Sequence, residues 1–252
     1  MQILLTNDDG IWAQGLQTLG QHLAVRHRIS VIAPDRERSA VGHAITLRVP
    51  LRVKEESLAG NIRGYAVSGT PADCVKLALK NLLPERPDLV ISGINPGANT
   101  GVNVNYSGTV AAAREAALAG IAAMAVSMQG GDARGYAAAA RFIEKLVCQI
   151  QLNGLPRGTF LSINFPKGPA AGAAGVRVSR LANSLSAEHI DKRMDPYNRP
   201  YYWQFYNPPA EGFEPDTDGW ALDRNMVSIT PLQCDATDYR FMDELKGWDL
   251  TF

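Results

Sequence analysis

Two carboxylates, Asp8 and Asp9, stand side by side directly after the apolar run Gln2–Thr6, between Asn7 and Gly10. Adjacent carboxylates at a strand end repel, and one of their pKa values climbs unless a nearby cation makes both ionised forms favourable. A hard divalent ion is the simplest such partner. Two other polar loops carry neutral oxygen donors: Ser39 in Asp35-Arg36-Glu37-Arg38-Ser39, and Asn95 in Ser92-Gly93-Ile94-Asn95-Pro96-Gly97-Ala98-Asn99. Apart from His43, no histidine or cysteine lies near these loops. An oxygen-only set of Asp8, Asp9, Ser39 and Asn95 selects magnesium, manganese or calcium over zinc or copper. Either acid alone would also serve to cap the helix that starts near Trp12; the pair, taken with the two loops, favours an ion.

The stretch Tyr106-Ser107-Gly108-Thr109-Val110 opens an alanine-rich helix. Free amides and the positive end of a helix dipole favour a phosphate there, with the Ser107 and Thr109 hydroxyls as further donors. The competing account is an ordinary hydroxyl cap with a packing glycine. Arg36 and Arg38 could neutralise an anion or simply be solvated. His22, His27 and His189 read as peripheral, and Asp235 and Asp238 as turn residues. Neither G-x-G-x-x-G nor G-x-x-x-x-G-K-[ST] occurs, which leaves the dinucleotide and P-loop readings without support.

These loops need a scaffold that brings them to one rim. The first half of the chain alternates short apolar runs with helical patterns, as parallel strands joined by crossover helices do. Strands are expected at Gln2–Thr6, Ile29–Ala33, Asp88–Ser92, Ile121–Ser127, Thr159–Asn164 and Val227–Thr230. Helices are expected from Trp12 to Leu23, from Pro71 to about Leu83 and from Tyr136 to Gln151. Thr70, Pro71 and Asp73 supply a hydroxyl cap, a first-turn proline and an acid complementary to the unpaired amides. In such a sheet ligands bind beyond the carboxyl ends of the strands. The expected architecture is α/β: a mostly parallel sheet in a single domain, with a core of 1–167 and 221–252. Residues 168–220 read as an extension. Within it Asp195–Pro209, with Tyr197, Tyr201, Tyr202, Trp203, Phe205 and Tyr206, suggests a β-hairpin arm whose exposed aromatics contact another subunit.

With 25 basic and 25 acidic residues among 252, no whole-chain field draws the protein to DNA, RNA or an acidic membrane. An apolar content of 46% supports a sizeable core. Three scattered cysteines, no export-signal pattern and no membrane-spanning run point to a reduced, cytoplasmic setting.

The segments Ile3–Gly10, Ala33–Ala40, Gly69–Val75, Ser92–Asn99, Tyr106–Val110 and Val227–Leu232 together resemble the SurE family, the survival-protein nucleotidases, in family order over nearly the whole chain. The resemblance implies a three-layer Rossmann-like core. It also implies one divalent cation per subunit on Asp8, Asp9, Ser39 and Asn95, and hydrolysis of nucleoside 5′-monophosphates, with 3′-nucleotides and short polyphosphate as further substrates. Asn99, Ser107, Gly108 and Thr109 are the expected phosphate-binding residues. Asp8, Asp9 or Asn7 would orient the attacking water. Dimers or tetramers with exchanged C-terminal segments are implied as well. Departures from the family pattern lie in the arm, Asp195-Pro196-Tyr197-Asn198-Arg199-Pro200, and in Arg114-Glu115-Ala116; they bear on oligomer geometry and helix packing. Two rival chemistries use the same residues: an aspartyl-phosphate intermediate on Asp8 or Asp9, and a non-catalytic nucleotide sensor.

Overall fold

The computed structural model describes residues 1–168, 172–183, 187–207 and 212–250; the side chains of 187–188 and 205–207 lie outside that description. Nine strands form the main sheet: β1 (Gln2–Thr6), β2 (Arg28–Pro34), β3 (Val53–Leu58), β4 (Ile62–Val67), β5 (Leu89–Asn95), β6 (Ala122–Met128), β7 (Thr159–Phe165), β8 (Gly175–Val178) and β11 (Met226–Gln233). Their spatial order is β3-β4-β2-β1-β5-β6-β7-β11-β8. Among the described residues of this sheet, only the β3–β4 and β7–β11 pairs are antiparallel.

The central strands read as unbroken apolar runs because both of their faces are covered. Ile3 and Leu5 face one layer, with Leu16, Leu19 and Leu23 of α1 (Gln14–Leu23) and Ile143 and Val147 of α4 (Ala133–Asn153). Leu4 faces the other, with Val75 of α2 (Pro71–Leu77) and Val110, Ala113 and Ala117 of α3 (Gly108–Leu118). Leu4 and Leu5 are both completely buried, each worth about 1.5–3 kcal/mol of burial. The result is the expected three-layer α/β architecture.

Local signals explain the helix starts. Thr70 accepts from the Asp73 amide at 3.1 Å while Asp73 accepts from the Thr70 amide at 2.9 Å, a reciprocal cap with Pro71 at the first position. A turn of π-helix over Ala78–Leu82 carries this helix to Leu83. The β3–β4 hairpin was not foreseen. Its outer strand is exposed over Val53-Lys54-Glu55 and charged, as an edge strand is expected to be, so it carries no apolar run to read.

Beyond β7 the sheet continues. β11 pairs antiparallel with β7 on one side and in parallel with β8 on the other. β8 falls within the stretch expected as an extension. A separate antiparallel ribbon, β9 (Ala187–Met194) with β10 (Pro200–Asn207), forms the arm anticipated from the aromatic segment. Tyr197, Tyr202 and Trp203 on it are exposed; the side chains of Phe205 and Tyr206, and Pro208 and Pro209, lie outside the described residues. Two short helices follow, α5 (Asp218–Asp223) and α6 (Tyr239–Leu245), and α6 buries none of its residues. Among the described residues no helix is long and apolar enough to cross a membrane.

Candidate active site

The chain runs from β1 outward to β2 and β4, then returns to lay β5 on the opposite side of β1. That reversal makes the β1–β5 boundary a topological switch point, where the loops part and leave a crevice. Asp8 leaves β1, Asn95 ends β5 and Ser39 lies in the loop after β2. A cavity of about 500 Å³ opens there, and Asp8, Ser39, Asn95, Asn99 and Ser107 all line it. Four loop segments, distant in sequence, therefore meet at one rim.

The β1 loop is tightly built. Gly10 has φ +99°, a conformation L side chains rarely adopt, and a Cβ there would lie 3.2 Å from the Arg36 backbone. Asn7 is fully buried and donates from Nδ2 to the Gly10 carbonyl at 2.9 Å. The Arg38 amide donates to the Asp8 carbonyl at 2.7 Å, which holds the β2 loop over β1. Asn7 thus braces the turn that presents the acids and does not line the cavity.

Asp8 rests on the start of α3. Its carboxylate accepts from the Thr109 hydroxyl and from the Thr109 amide. Gly108 makes this seat possible, because a Cβ at that position would lie 2.8 Å from the Asp8 Cβ. Ser107 caps the helix by accepting from the Val110 amide at 3.1 Å. The Thr109 hydroxyl, expected to face a phosphate, is instead committed to Asp8 and is completely buried.

Electrostatically the acids are under tension. Burial raises the Asp8 pKa, opposed by the Thr109 hydrogen bonds. Asp9 is pushed up to about 7, first by burial, then by Asp8 and Glu37. Its Oδ2 is buried without a hydrogen-bond partner. A carboxylate oxygen left unpaired costs its full desolvation, and a cation beside it would reverse both the penalty and the pKa shift. The neutral donors keep free lone pairs: Ser39 spends its proton on Glu37 at 2.5 Å, and Asn95 uses Nδ2 on the Gly97 carbonyl at 2.6 Å. Among the described residues no lysine or arginine lines the cavity, so a bound cation is what would balance both Asp8 and an incoming phosphate. The residues present fit a hard divalent ion. Among the described residues no cluster of three or more His, Cys, Asp or Glu side chains is poised for metal, and Asp9, unlike Asp8, Ser39 and Asn95, is not among the residues that line the cavity.

Asn99 is fixed from beneath. Its amide donates to Asn164 Oδ1 and its Nδ2 to Ser127 Oγ, both at 2.8 Å, from the carboxyl ends of β7 and β6. Asn164 and Ser127 are buried polar residues that the sequence reading passed over; asparagine and serine inside otherwise apolar strands were their only signal. Asp218 was also missed. It is completely buried and accepts from the amides of Gly101, Ala182 and Gly219, at 2.8, 3.0 and 2.8 Å. Burial raises its pKa against those three donors, and the bonds anchor the 3₁₀ turn Gly101–Asn105 beside the cavity. Arg38 turns its guanidinium to the Ser68 carbonyl, Arg36 pairs loosely with Asp35, and neither reaches the cavity.

The order of strands and the acid pair at the switch point define a Rossmann-like α/β protein with an acidic ligand site at the carboxyl edge of its sheet. The chain belongs to the survival protein SurE family, whose model matches residues 3–188. It is 53% identical over 248 residues to a protein named 5′-nucleotidase SurE from Desulfatibacillum aliphaticivorans, covering 98% of both chains. It is 46% identical to one of the same name from Syntrophobacter fumaroxidans, covering 99% of this chain and 100% of that one. The crystal structure of the SurE protein from Aquifex aeolicus superposes with a TM-score of 0.85 at 36% identity, covering 98% of each chain.

Proposed function

We propose that this chain is a metal-dependent 5′-nucleotidase that hydrolyses nucleoside 5′-monophosphates to nucleoside and phosphate, with 3′-nucleotides and short polyphosphate as secondary substrates. The observation that carries the reading is the meeting of Asp8, Ser39, Asn95, Asn99 and Ser107 in one cavity at the switch point. The relatives named 5′-nucleotidase, matched over nearly their full length, support it.

Asp8, Asp9, Ser39 and Asn95 would hold one divalent cation, magnesium or manganese first and calcium third, because every donor is oxygen. When bound, such an ion supplies charge stabilisation at the phosphoryl group and an acidified water. Ser107 and the Gly108 amide at the opening of α3 offer donors to the remaining phosphoryl oxygens, the Thr109 and Val110 amides being taken by Asp8 and Ser107, and the helix dipole favours their charge. Asn99, clamped by Asn164 and Ser127, presents a fixed polar wall. Thr109 positions Asp8, and Asn7 braces the loop. Residue exposure grades from Asp8, only 6% accessible, out to Ser39 at the rim, which suits a phosphate inserted inward with its nucleoside trailing.

The exposed Tyr239, Phe241, Trp248 and Leu250 on and after α6 support assembly into a dimer or tetramer through exchanged C-terminal segments. All three cysteines are free, as a reducing cytoplasm would keep them. A panel of phosphate release from AMP with magnesium, manganese, calcium or chelator tests the activity. Release should require metal and vanish in Asp8→Asn. Near-normal turnover by that variant would overturn the assignment.

A further inference from the structure

Residues 35–52, which join β2 to β3, form neither helix nor strand, yet the part that carries Ser39 is tied down on both sides. Before Ser39, the Arg38 amide is fixed to the Asp8 carbonyl at 2.7 Å and the Arg38 guanidinium to the Ser68 carbonyl at 2.8 Å. After it, the Gly42 amide donates to the Tyr106 carbonyl at 2.9 Å, the Thr70 hydroxyl to the Ala44 carbonyl at 2.7 Å, and the Thr46 amide to Asp73 at 3.0 Å. Between these anchors Ala40 has φ +55°, a left-handed conformation that a residue with a side chain keeps where its surroundings over-determine it. The anchors therefore decide where Ser39 stands.

One further anchor joins two side chains. His43 Nε2 lies 2.9 Å from Glu115 Oε2, and Lys76 Nζ of α2 lies 3.1 Å from the other carboxylate oxygen. The His43 bond, with help from Lys76 and against burial, holds the Glu115 carboxyl below its usual pKa. An ionised carboxylate accepts only, so the imidazole donates, and such charge-assisted bonds are stronger than neutral ones. With both oxygens taken, the carboxylate has little freedom to turn away. Glu115 lies on α3, the same helix that seats Asp8 through Thr109 at its start. A single rigid element thus supports two loops that meet at the cavity.

Resting on the metal-dependent reading above, we infer that Glu115 is a positioning residue: through His43 it fixes the loop that presents Ser39, and so sets the spacing of Ser39 from Asp8 across the cation site. The established donors are unchanged by this; what it adds is the part that keeps one of them in register.

The test uses the full-length protein and two readouts, calorimetric titration with manganese and amide hydrogen exchange of the metal-free form. His43→Ala cuts the tether and leaves the Lys76–Glu115 pair in place. Manganese affinity should fall about tenfold, and exchange over residues 38–46 should quicken by a similar factor, with α3 exchange and Tm little changed. His43→Gln, which keeps a side-chain N–H donor, should recover most of the affinity. In a Ser39→Ala background, His43→Ala should alter manganese affinity by less than about twofold, because its effect passes through Ser39. The inference is overturned by unchanged affinity in His43→Ala, or by the same tenfold loss where Ser39 is already absent; either result leaves the nucleotidase reading standing. A wild type that binds no manganese, magnesium or calcium overturns the metal reading and this inference with it.

Discussion

Replacing Gly108 by alanine asks whether the acid pair depends on the close seat that α3 provides. A Cβ at 108 would meet the Asp8 Cβ at 2.8 Å, Asp8 Oδ2 at 3.0 Å and Pro71 Cγ at 3.2 Å. The first approach is roughly 0.7 Å short of ordinary carbon contact, which begins near ~3.5 Å. Asp8 cannot swing aside freely, since Thr109 holds its carboxylate and the Arg38 amide holds its carbonyl. Helix propensity alone would make Gly→Ala stabilising by about 0.8–1.0 kcal/mol. Overpacking costs about 1–3 kcal/mol, so the net is a destabilisation of about 0–2 kcal/mol. If Asp8 holds the cation as proposed, displacing its carboxylate matters more for turnover, where ~1 Å of misplacement can cost ~100-fold. Thermal or urea unfolding should show the modest loss, and manganese-dependent phosphate release from AMP should fall about 10- to 100-fold. A variant more stable by about 1 kcal/mol with unchanged kcat/KM would refute the reasoning, because the contact would then exert no force on Asp8.

Thr109→Val keeps the shape of the side chain but removes the hydroxyl that donates to Asp8. Hydrogen bonds to charged groups are worth about 1.5–3 kcal/mol, so calorimetric manganese affinity should drop at least ~10-fold, and unchanged affinity would remove Thr109 from the metal-positioning apparatus. Asp73 is nearly inaccessible; burial alone would raise its pKa, but bonds from Thr46 and Thr70 outweigh burial and hold it below the usual value. Its stabilisation is therefore complete above the unfolded pKa near ~3.9 and is lost as pH falls from there through the lower folded value. Urea melts should show this acid loss in the wild type and a flatter profile in Asp73→Asn, at a cost of about 0.5–2 kcal/mol at neutral pH for the weakened cap. For assembly, sedimentation should give a dimer or tetramer, and Phe241→Ser with Trp248→Ser should shift it to smaller species; a monomeric wild type would exclude the exchange.

The parts of the fold that could be read in advance were those whose causes are local. β1 and β5 are apolar runs stopped by polar loops, and α2 announces itself through Thr70, Pro71 and Asp73 within four residues. The β3–β4 hairpin escaped because an exposed edge strand has no buried face to write a pattern. In the cavity, the meeting of Asp8, Ser39 and Asn95 at the carboxyl rim of the sheet was legible. What each hydroxyl would do was not. Thr109 meets Asp8 across 101 positions of sequence, and Asn99 meets Asn164 across 65. Such pairings exist only once the sheet has ordered its strands, so composition and spacing have no access to them. Gln204 is the extreme case: it lines the cavity, yet nothing in β10 itself says that the arm bends back there.

The position of β11 has a consequence for the life of the chain during synthesis. This strand, made after the sheet's other strands, slots between β7 and β8, both made long before it. Until residues 226–233 emerge, β7 carries a bare hydrogen-bonding edge, and β7 is the strand whose Asn164 steadies Asn99. A nascent or prematurely stopped polypeptide would thus be both sticky and catalytically mute. Competence waits for β11, the keystone that closes this part of the row.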